Sequence, residues 1–286
     1  HPEAKILLLT TPNYYGICAD LKQIVPYAHE KGLTVLVDEA HGPHLSFHPD
    51  LPPSAMEVDV DMAVQSTHKI IGGMTQASML HAKGPRIDIT ALAAVLKLVQ
   101  STSPSYILMA SLDLARMQMA TEGKPLLEKA IRLAQEAREK INRITGLFCF
   151  DHAVCQSQFR GMGGLDVTKL TITVKELSLS GYEVSRLLNT QFGIQVEMAD
   201  PFNVLVIVSI GDRKDDLNRL VDALREIAKE YLGKRPLSFE KIGMPPFGKP
   251  IGLSPREAFF SELQYIPLIE SKGRISAEIV TVYPPG

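Results

Sequence analysis

The stretch VLVDEAHGPHLSFH, Val35–His48, can be read in three ways, and the choice among them decides the fold. Its centre spells DEAH, the magnesium-and-water box of nucleic-acid helicases. That box works beside a phosphate-cradling loop, G-x-x-x-x-G-K-[ST]. The chain has no such loop: Gly248-Lys249 is followed by Pro250, and Gly72-Gly73 by Met74. Four letters alone match by chance. A second reading takes His41, His44 and His48 with Asp38 or Asp50 as a metal site. Spacings of i, i+3 and i+7 suit one face of a helix. Gly42-Pro43 and the following HPDLPP instead mark a loop, where that register aligns nothing. His44 and His48 are expected to be ordinary loop hydrogen-bonders, and no metal is expected.

The third reading starts from position. Asp38 closes an apolar strand-like run, and ligands collect at the carboxyl ends of strands in open α/β sheets. Lys69 closes a second run within QSTHKIIGG, among small hydroxyls, a histidine and glycines. Pyridoxal phosphate needs a lysine amine for its aldehyde and a carboxylate that keeps its pyridine nitrogen protonated. Asp38 and Lys69 on neighbouring strands would supply both. Hydroxyls and a histidine beside the lysine can donate to the cofactor's phosphate. Glu39, one residue on from Asp38, should point to the opposite side of the strand and needs no role.

Working outward, KILLLTT (Lys5–Thr11) and LTVLVDEA read as strands buried on both faces. DLKQIVPYAHEKG (Asp20–Gly32) has a capping Asp, apolar residues at helical spacing and a closing Gly, although Pro26 argues against a straight helix. DMAVQSTHK (Asp61–Lys69) and QASMLHAKG (Gln76–Gly84) read as further strands. From Ile89 to about Ile144 the pattern is helical. Leu92, Val95, Leu96 and Val99 share a face, STSPS makes a break, and Gly123-Lys124-Pro125 is expected to kink or divide the second helix. A change of domain is expected along this stretch. LDVTKLTITV, SGYEVSRLLNTQFG, IQVEMADPFNVLVIVSI (turning at Asp200-Pro201) and DDLNRLVDALREIAKEYL then alternate strand and helix as a small α/β layer. After Gly233 a Pro/Gly-rich link leads into a third segment. The fold class is therefore α/β with a mainly parallel sheet.

Bulk properties narrow the partners. The chain has 286 residues, 45% apolar and 22% charged, with a formal net charge of −2. Nothing in that balance favours nucleic acid or an anionic membrane. No run of 18 apolar residues and no signal-peptide pattern occurs. Three cysteines, Cys18, Cys149 and Cys155, form no C-x-x-C pair, so buried inert thiols in a reduced, cytoplasmic setting are expected. The chain opens on His1-Pro2 and stops at VYPPG, and both ends are expected to be cuts within a longer polypeptide.

VDEAHGPHLSFHPDLPPSAM, DMAVQSTHKIIGGMTQASMLH, STSPSYILMASLDLAR and GLSPREAFFSELQYIPLIESKGRISAEIVTVYPPG together resemble the Orn/Lys/Arg decarboxylases, particularly the shorter bacterial arginine and lysine enzymes. These are pyridoxal-phosphate enzymes of the aspartate-aminotransferase fold. The resemblance covers essentially the whole chain. It implies a partial cofactor-binding domain at 1–125, a small α/β domain at 126–235, and a linker with the start of a C-terminal domain at 236–286.

By position, Lys69 matches the lysine that condenses with the cofactor, and Asp38 the aspartate facing the pyridine nitrogen. Ala40 matches the small residue under the ring, and His41 the polar residue near the ring hydroxyl. Ser66 and His68 match the phosphate-binding pair, and His68 and Lys69 are candidates to return a proton to Cα. Thr102 and Ser103 resemble residues reaching the phosphate in a partner subunit, which implies a homodimer or larger. Glu197, Asp200 and Glu262 are candidates to pair with a basic substrate. Two features depart from the pattern. The upstream phosphate loop has no counterpart here, so weak or no cofactor binding is expected of this chain alone. Asn13 stands where a Thr is expected before the Tyr pair, leaving roles for Asn13 and Tyr14 open. The implied activity is decarboxylation of a basic amino acid, arginine favoured over lysine or ornithine, in polyamine synthesis. A different lyase or aldolase on this fold, or a non-catalytic remnant, is the alternative.

Overall fold

The first apolar run forms β1 (Ile6–Thr10), followed by a short strand β2 (Ile17–Ala19). The computed structural model describes residues 3–155, 161–233 and 252–277. Most of the expected Pro/Gly-rich link and the last nine residues lie outside them. Helix α1 (Leu21–Glu30) starts at Asp20, whose carboxylate accepts from the Gln23 amide at 3.3 Å, and it continues through Pro26. Then come β3 (Thr34–Asp38), β4 (Met62–Gln65), a single helical turn α2 (Thr67–Ile70) and β5 (Met79–Ala82). The strand order is β1-β3-β4-β5, with the first two pairings parallel and the last antiparallel. The sheet is mainly parallel, as the apolar runs imply.

Alternation divides this sheet into two unlike faces. Leu7, Leu9, Val35, Val37 and Ala63 pack beneath Leu21, Val25 and Ala28 of α1. On the opposite face Leu8 is 68% exposed, and Val64 and Leu80 are exposed too. The expectation that β1 is buried on both faces therefore holds for one, because no described element packs on the other. The strand expected over Asp61–Lys69 also ends early. Gln65 is the last residue of β4 with a ladder partner, Met79. Beyond it the backbone satisfies itself in α2, where the Lys69 amide donates to the Ser66 carbonyl at 3.0 Å.

Helices α3 (Ile89–Val99) and α4 (Tyr106–Asn142) flank the expected break. The apolar face predicted for α3 is largely uncovered, with Val95 and Val99 exposed. Pro125 does not divide α4. A proline inside a helix costs about 3 kcal/mol, and here Met119, Gly123, Leu127, Ala130 and Ile131 are buried on both sides of it. The division expected at residue 125 thus falls inside one continuous helix.

The rest is a second layer: β6 (Phe148–Cys149), α5 (His152–Cys155), β7 (Met162–Leu165), β8 (Lys169–Thr173), α6 (Gly181–Phe192), β9 (Met198–Ala199), β10 (Asn203–Ile207) and α7 (Lys214–Tyr231). Its antiparallel sheet runs β6-β8-β10-β9. The expected turn at Asp200-Pro201 joins β9 to β10. A reciprocal Ser180–Glu183 capping box starts α6, and Gly193 at φ 64° closes it. The second half of α4 packs on this sheet with α6 and α7 through Ile141, Leu170, Ile172, Leu188, Val204 and Leu224. A short α8 (Pro255–Phe259) follows.

Backbone pairing and apolar packing both join the layers. β2 pairs antiparallel with β7, a ladder that three residues of GICAD do not advertise. A small apolar cluster collects Leu45, Ile70, Ile71, Met119, Leu127 and Val167 from both layers and from α4.

Candidate active site

Asp38 ends β3, and its register with Val64 of β4 puts the ends of the two parallel strands side by side. The Ala40 amide donates to Asp38 Oδ1 at 3.0 Å. This carboxylate lies on the uncovered face of the first sheet. Glu39, as expected, goes to the other side. There it is buried, accepting from the Ala55 amide at 2.7 Å and from Gln65 Nε2 at 2.6 Å. Burial dominates over these two hydrogen bonds and raises its pKa from 4.5 to about 7.

Helix α2 carries Lys69 out of the plane of the sheet toward His41. The Lys69 Nζ to His41 Nε2 distance is 3.3 Å, and Lys69 Nζ lies 5.8 Å from the centre of the Tyr14 ring. The Tyr14 ring packs on His41 with centroids 4.4 Å apart. His41 is buried, and burial, then Lys169, then Lys69 push its pKa down to about 3. His68 Nδ1 lies 2.9 Å from the Ala77 carbonyl, so that nitrogen carries the proton. Its Nε2 can then donate to a phosphate only as the imidazolium. Ser66 is the residue before α2 and makes no capping bond with its side chain. Ala40 follows Asp38 directly and is half-buried.

Other sequence candidates fall elsewhere. Thr102 and Ser103 are exposed on the loop between α3 and α4, and no contact among the described residues joins them to Lys69 or Asp38. Asp200 accepts from Phe202, Asn203 and, at 2.8 Å, the Tyr15 hydroxyl, so it builds its own turn and ties it to the first layer. Glu262 is exposed beyond α8, whereas Glu197 is half-buried and its charge acts on Lys169. Asn13 Oδ1 accepts from the Ile17 amide at 2.9 Å, shaping the loop that presents Tyr14.

The three histidines of the opening stretch go to three different places. His41 meets the lysines. His48 Nδ1 accepts from the Asp50 amide at 3.2 Å. His44 is not the ordinary loop residue expected: it is fully buried, with Nε2 3.1 Å from Asp166 Oδ2. Burial alone would raise the Asp166 pKa, but His44, Lys169 and the Thr168 hydroxyl at 2.6 Å hold it well below the usual carboxylate range. Among the described residues no group of three or more His, Cys, Asp or Glu is placed to hold a metal.

A family model, Orn/Lys/Arg decarboxylase, major domain, matches residues 1–216. The chain belongs to this family. It is 42% identical to the arginine decarboxylase of Bacillus subtilis over 286 residues, all of this chain and 58% of that protein's length. The chain therefore spans a little over half of that relative. Among solved structures it is similar to lysine decarboxylase A from Pseudomonas aeruginosa, with a TM-score of 0.68 and 23% identity, over 79% of this chain and 37% of that one. It is also similar to an alanine–glyoxylate aminotransferase from Nostoc sp., with a TM-score of 0.61 and 19% identity, over 78% of this chain and 61% of that one. These neighbours show the aminotransferase-like α/β fold, which is the fold the resemblance implies. No described helix in this decarboxylase-family chain is long and apolar enough to cross a membrane.

Sequence reasoning missed Lys169, Asp166 and the long-range role of His44. One signal was available: LDVTKLTITV places a lysine inside an apolar strand, and lysine is almost never fully buried unless paired.

Proposed function

We propose that the full-length protein is a pyridoxal-phosphate-dependent decarboxylase of a basic amino acid, with arginine the favoured substrate, working as a cytoplasmic homo-oligomer. The observation that carries this reading is the convergence of Asp38, His41 and Lys69 at the ends of two parallel strands. The residues fit the cofactor. Asp38 Oδ1 is held by the Ala40 amide, and no described group claims Oδ2, which leaves it for a pyridinium N–H. Lys69 stands within reach of His41, the residue placed for the ring hydroxyl. Bound there, pyridoxal phosphate would supply the aldehyde for an amine and the electron-withdrawing ring that lets a carboxylate leave as carbon dioxide.

The chain's own residues divide the remaining tasks. Lys69 would hold the group by its aldehyde, its amine being the one the substrate amine would replace. Asp38 would pair with the ring nitrogen and favour its protonated form. Ala40 leaves room for a flat ring, and His41 faces the ring hydroxyl. Ser66 and His68 would donate to the phosphate, with Thr102 and Ser103 serving a partner subunit's phosphate. Lys69 or His68 would hold the proton that Cα takes up. Glu197, half-buried with its charge acting on Lys169, suits a basic side chain better than Asp200, which is spent on its own turn. Arginine is favoured by the identity with the B. subtilis arginine decarboxylase.

The test uses the full-length protein. Borohydride should fix the cofactor to the peptide bearing Lys69 in the wild type and to no peptide in Lys69→Ala. Equal fixation in both would overturn the reading. Release of agmatine rather than cadaverine or putrescine identifies the substrate.

A further inference from the structure

The sequence leaves roles for Asn13 and Tyr14 open, and the loop that carries them crosses from one layer to the other. Before it, the Thr11 amide donates to the Asp38 carbonyl at 3.0 Å, so the chain leaves the first sheet beside the carboxylate that closes β3. After it, β2 pairs with β7 of the second layer. Between these points Asn13–Gly16 is a closed turn. The Gly16 amide donates to the Asn13 carbonyl, and the Asn13 amide to the Ile17 carbonyl, each at 3.0 Å. Tyr14 and Tyr15 are the two central residues, and their side chains part there. The Tyr14 ring packs on His41 beside Lys69. Tyr15 goes to the second layer, where its hydroxyl donates to Asp200 Oδ2 at 2.8 Å.

The second layer grips this turn by its backbone as well. The Thr171 hydroxyl donates to the Tyr15 carbonyl at 3.1 Å, and the Asp166 amide to the Gly16 carbonyl at 2.8 Å. Gly16, at φ 85°, lies so close to β8 that an added Cβ would come within 2.8 Å of the Lys169 Cβ. Lys169, the first residue of β8, is fully buried, and its Nζ is 3.2 Å from His41 Nδ1. The second layer thus reaches His41 directly through Lys169 and, by way of the turn, through Tyr14. Asp200 is a fixed acceptor for Tyr15, because its Oδ1 is held by the amides of Phe202 and Asn203. Burial, then Asp200, push the Tyr15 hydroxyl up to about 12, so it is a donor at neutral pH.

We infer that Tyr15 is a positioning residue: its bond to Asp200 anchors the Asn13–Gly16 turn to the second layer and so holds the Tyr14 ring against His41 beside Lys69. The ring limits how the His41 imidazole can turn, and His41 is the residue assigned to the cofactor's ring hydroxyl. This role deepens the proposed function and rests on it for what His41 serves, not for the arrangement itself. It also gives Asp200 a task at the site other than pairing with a substrate, through a hydrogen bond between residues 185 positions apart.

Two measurements on the full-length protein test it. In cofactor-free protein labelled with meta-fluorotyrosine, the Tyr14 fluorine signal is assigned by its loss in Tyr14→Leu. In Tyr15→Phe that signal should move toward its position in urea-unfolded protein, and an unmoved signal would overturn the proposal. Affinity for pyridoxal phosphate is then followed through a double-mutant cycle. Tyr14→Leu should weaken binding about tenfold, through loss of the aromatic contact, and Tyr15→Phe about fivefold, through loss of one hydrogen bond. The double variant should bind no more than about twofold more weakly than Tyr14→Leu alone, because Tyr15 acts through Tyr14. Losses that multiply to about fiftyfold would mark Tyr15 as merely structural and overturn its positioning role. So would unchanged affinity in Tyr15→Phe. The fluorine signal needs no cofactor, so failure here and failure of the borohydride test remain distinguishable.

Discussion

Leu170 and Ile172 of β8 are fully buried, packed with Leu188 of α6 and Leu224 of α7, while Leu8 of β1 is 68% exposed. Both strands are apolar runs, yet only the second layer closes over its own. Among the described residues the first sheet is covered on the α1 side and bare on the side where Asp38 emerges. An apolar run therefore records how much surface a strand needs covered, and leaves open which chain segment covers it. The candidate site lies on the bare side, and the finished layer reaches it through Lys169 and His41. On this comparison the second layer is the closed one, and the first carries the proposed reacting groups.

The strongest way to break the comparison is to loosen the second layer where it meets the site. Arg138 of α4 donates to the carbonyls of Phe150 at 2.6 Å, Val167 at 2.9 Å and Lys169 at 2.9 Å. It is buried, so in Arg138→Leu these carbonyls lose their charge-assisted donor with little water to replace it. The expected cost is about 3–5 kcal/mol, read as a fall in the urea midpoint. A loss below about 1 kcal/mol would show that the second layer does not rest on this residue.

Arg138 also marks where sequence reading stopped. β1, β3, β8 and β10 were legible as apolar runs, α1 through its caps and α6 from the alternation of strand and helix, because those signals are local. Asp38 and Lys69 were legible together because parallel strand ends bring such residues into one place. β2 was not, since its three residues pair only with β7, far along the chain. Nor was His44, whose partner Asp166 comes from the other layer. The helical turn at Lys69 depends on where β5 stops offering ladder partners to β4, which no propensity encodes. The integrity of α4 across Pro125 is likewise set by packing on both sides of the proline.

Glu39 sharpens the comparison from the first sheet. It links β3 to Ala55 and, through Gln65, to His81 of β5, where His81 Nε2 lies 3.0 Å from Gln65 Oε1. Its pKa rises from 4.5 to about 7 on folding, mainly through burial. A carboxyl raised in the folded state contributes stability in full below its unfolded pKa and loses it as pH climbs through the folded one. Wild-type stability should therefore carry a term that falls by up to about 3 kcal/mol between pH 4.5 and 7. Urea midpoints at pH 5 and pH 7.5 should differ less in Glu39→Gln than in wild type. An unchanged difference would remove Glu39 as the source.

The smallest effect compares the layers directly through two thiols. Cys18 of β2 and Cys149 of β6 are both buried, so iodoacetamide reaches either only when its surroundings open. Burial pushes the Cys149 thiol up to about 12, with Arg138 pulling the other way, so this residue is inert while the second layer is closed. Asn142 holds it on both sides, accepting from its amide at 2.6 Å and donating to its carbonyl at 3.2 Å. Cys18 sits in a two-stranded ladder whose register shifts beside it. In native-state alkylation with rising urea, each rate corrected for that thiol's reactivity in the unfolded chain, Cys18 should open first. The expected gap is about 1–2 kcal/mol, within the usual spread of local opening energies. Equal opening energies would mean that the layers unfold as one unit. The bare face of the first sheet would then carry no penalty of its own, and the Lys169–His41 contact would join two halves of equal stability.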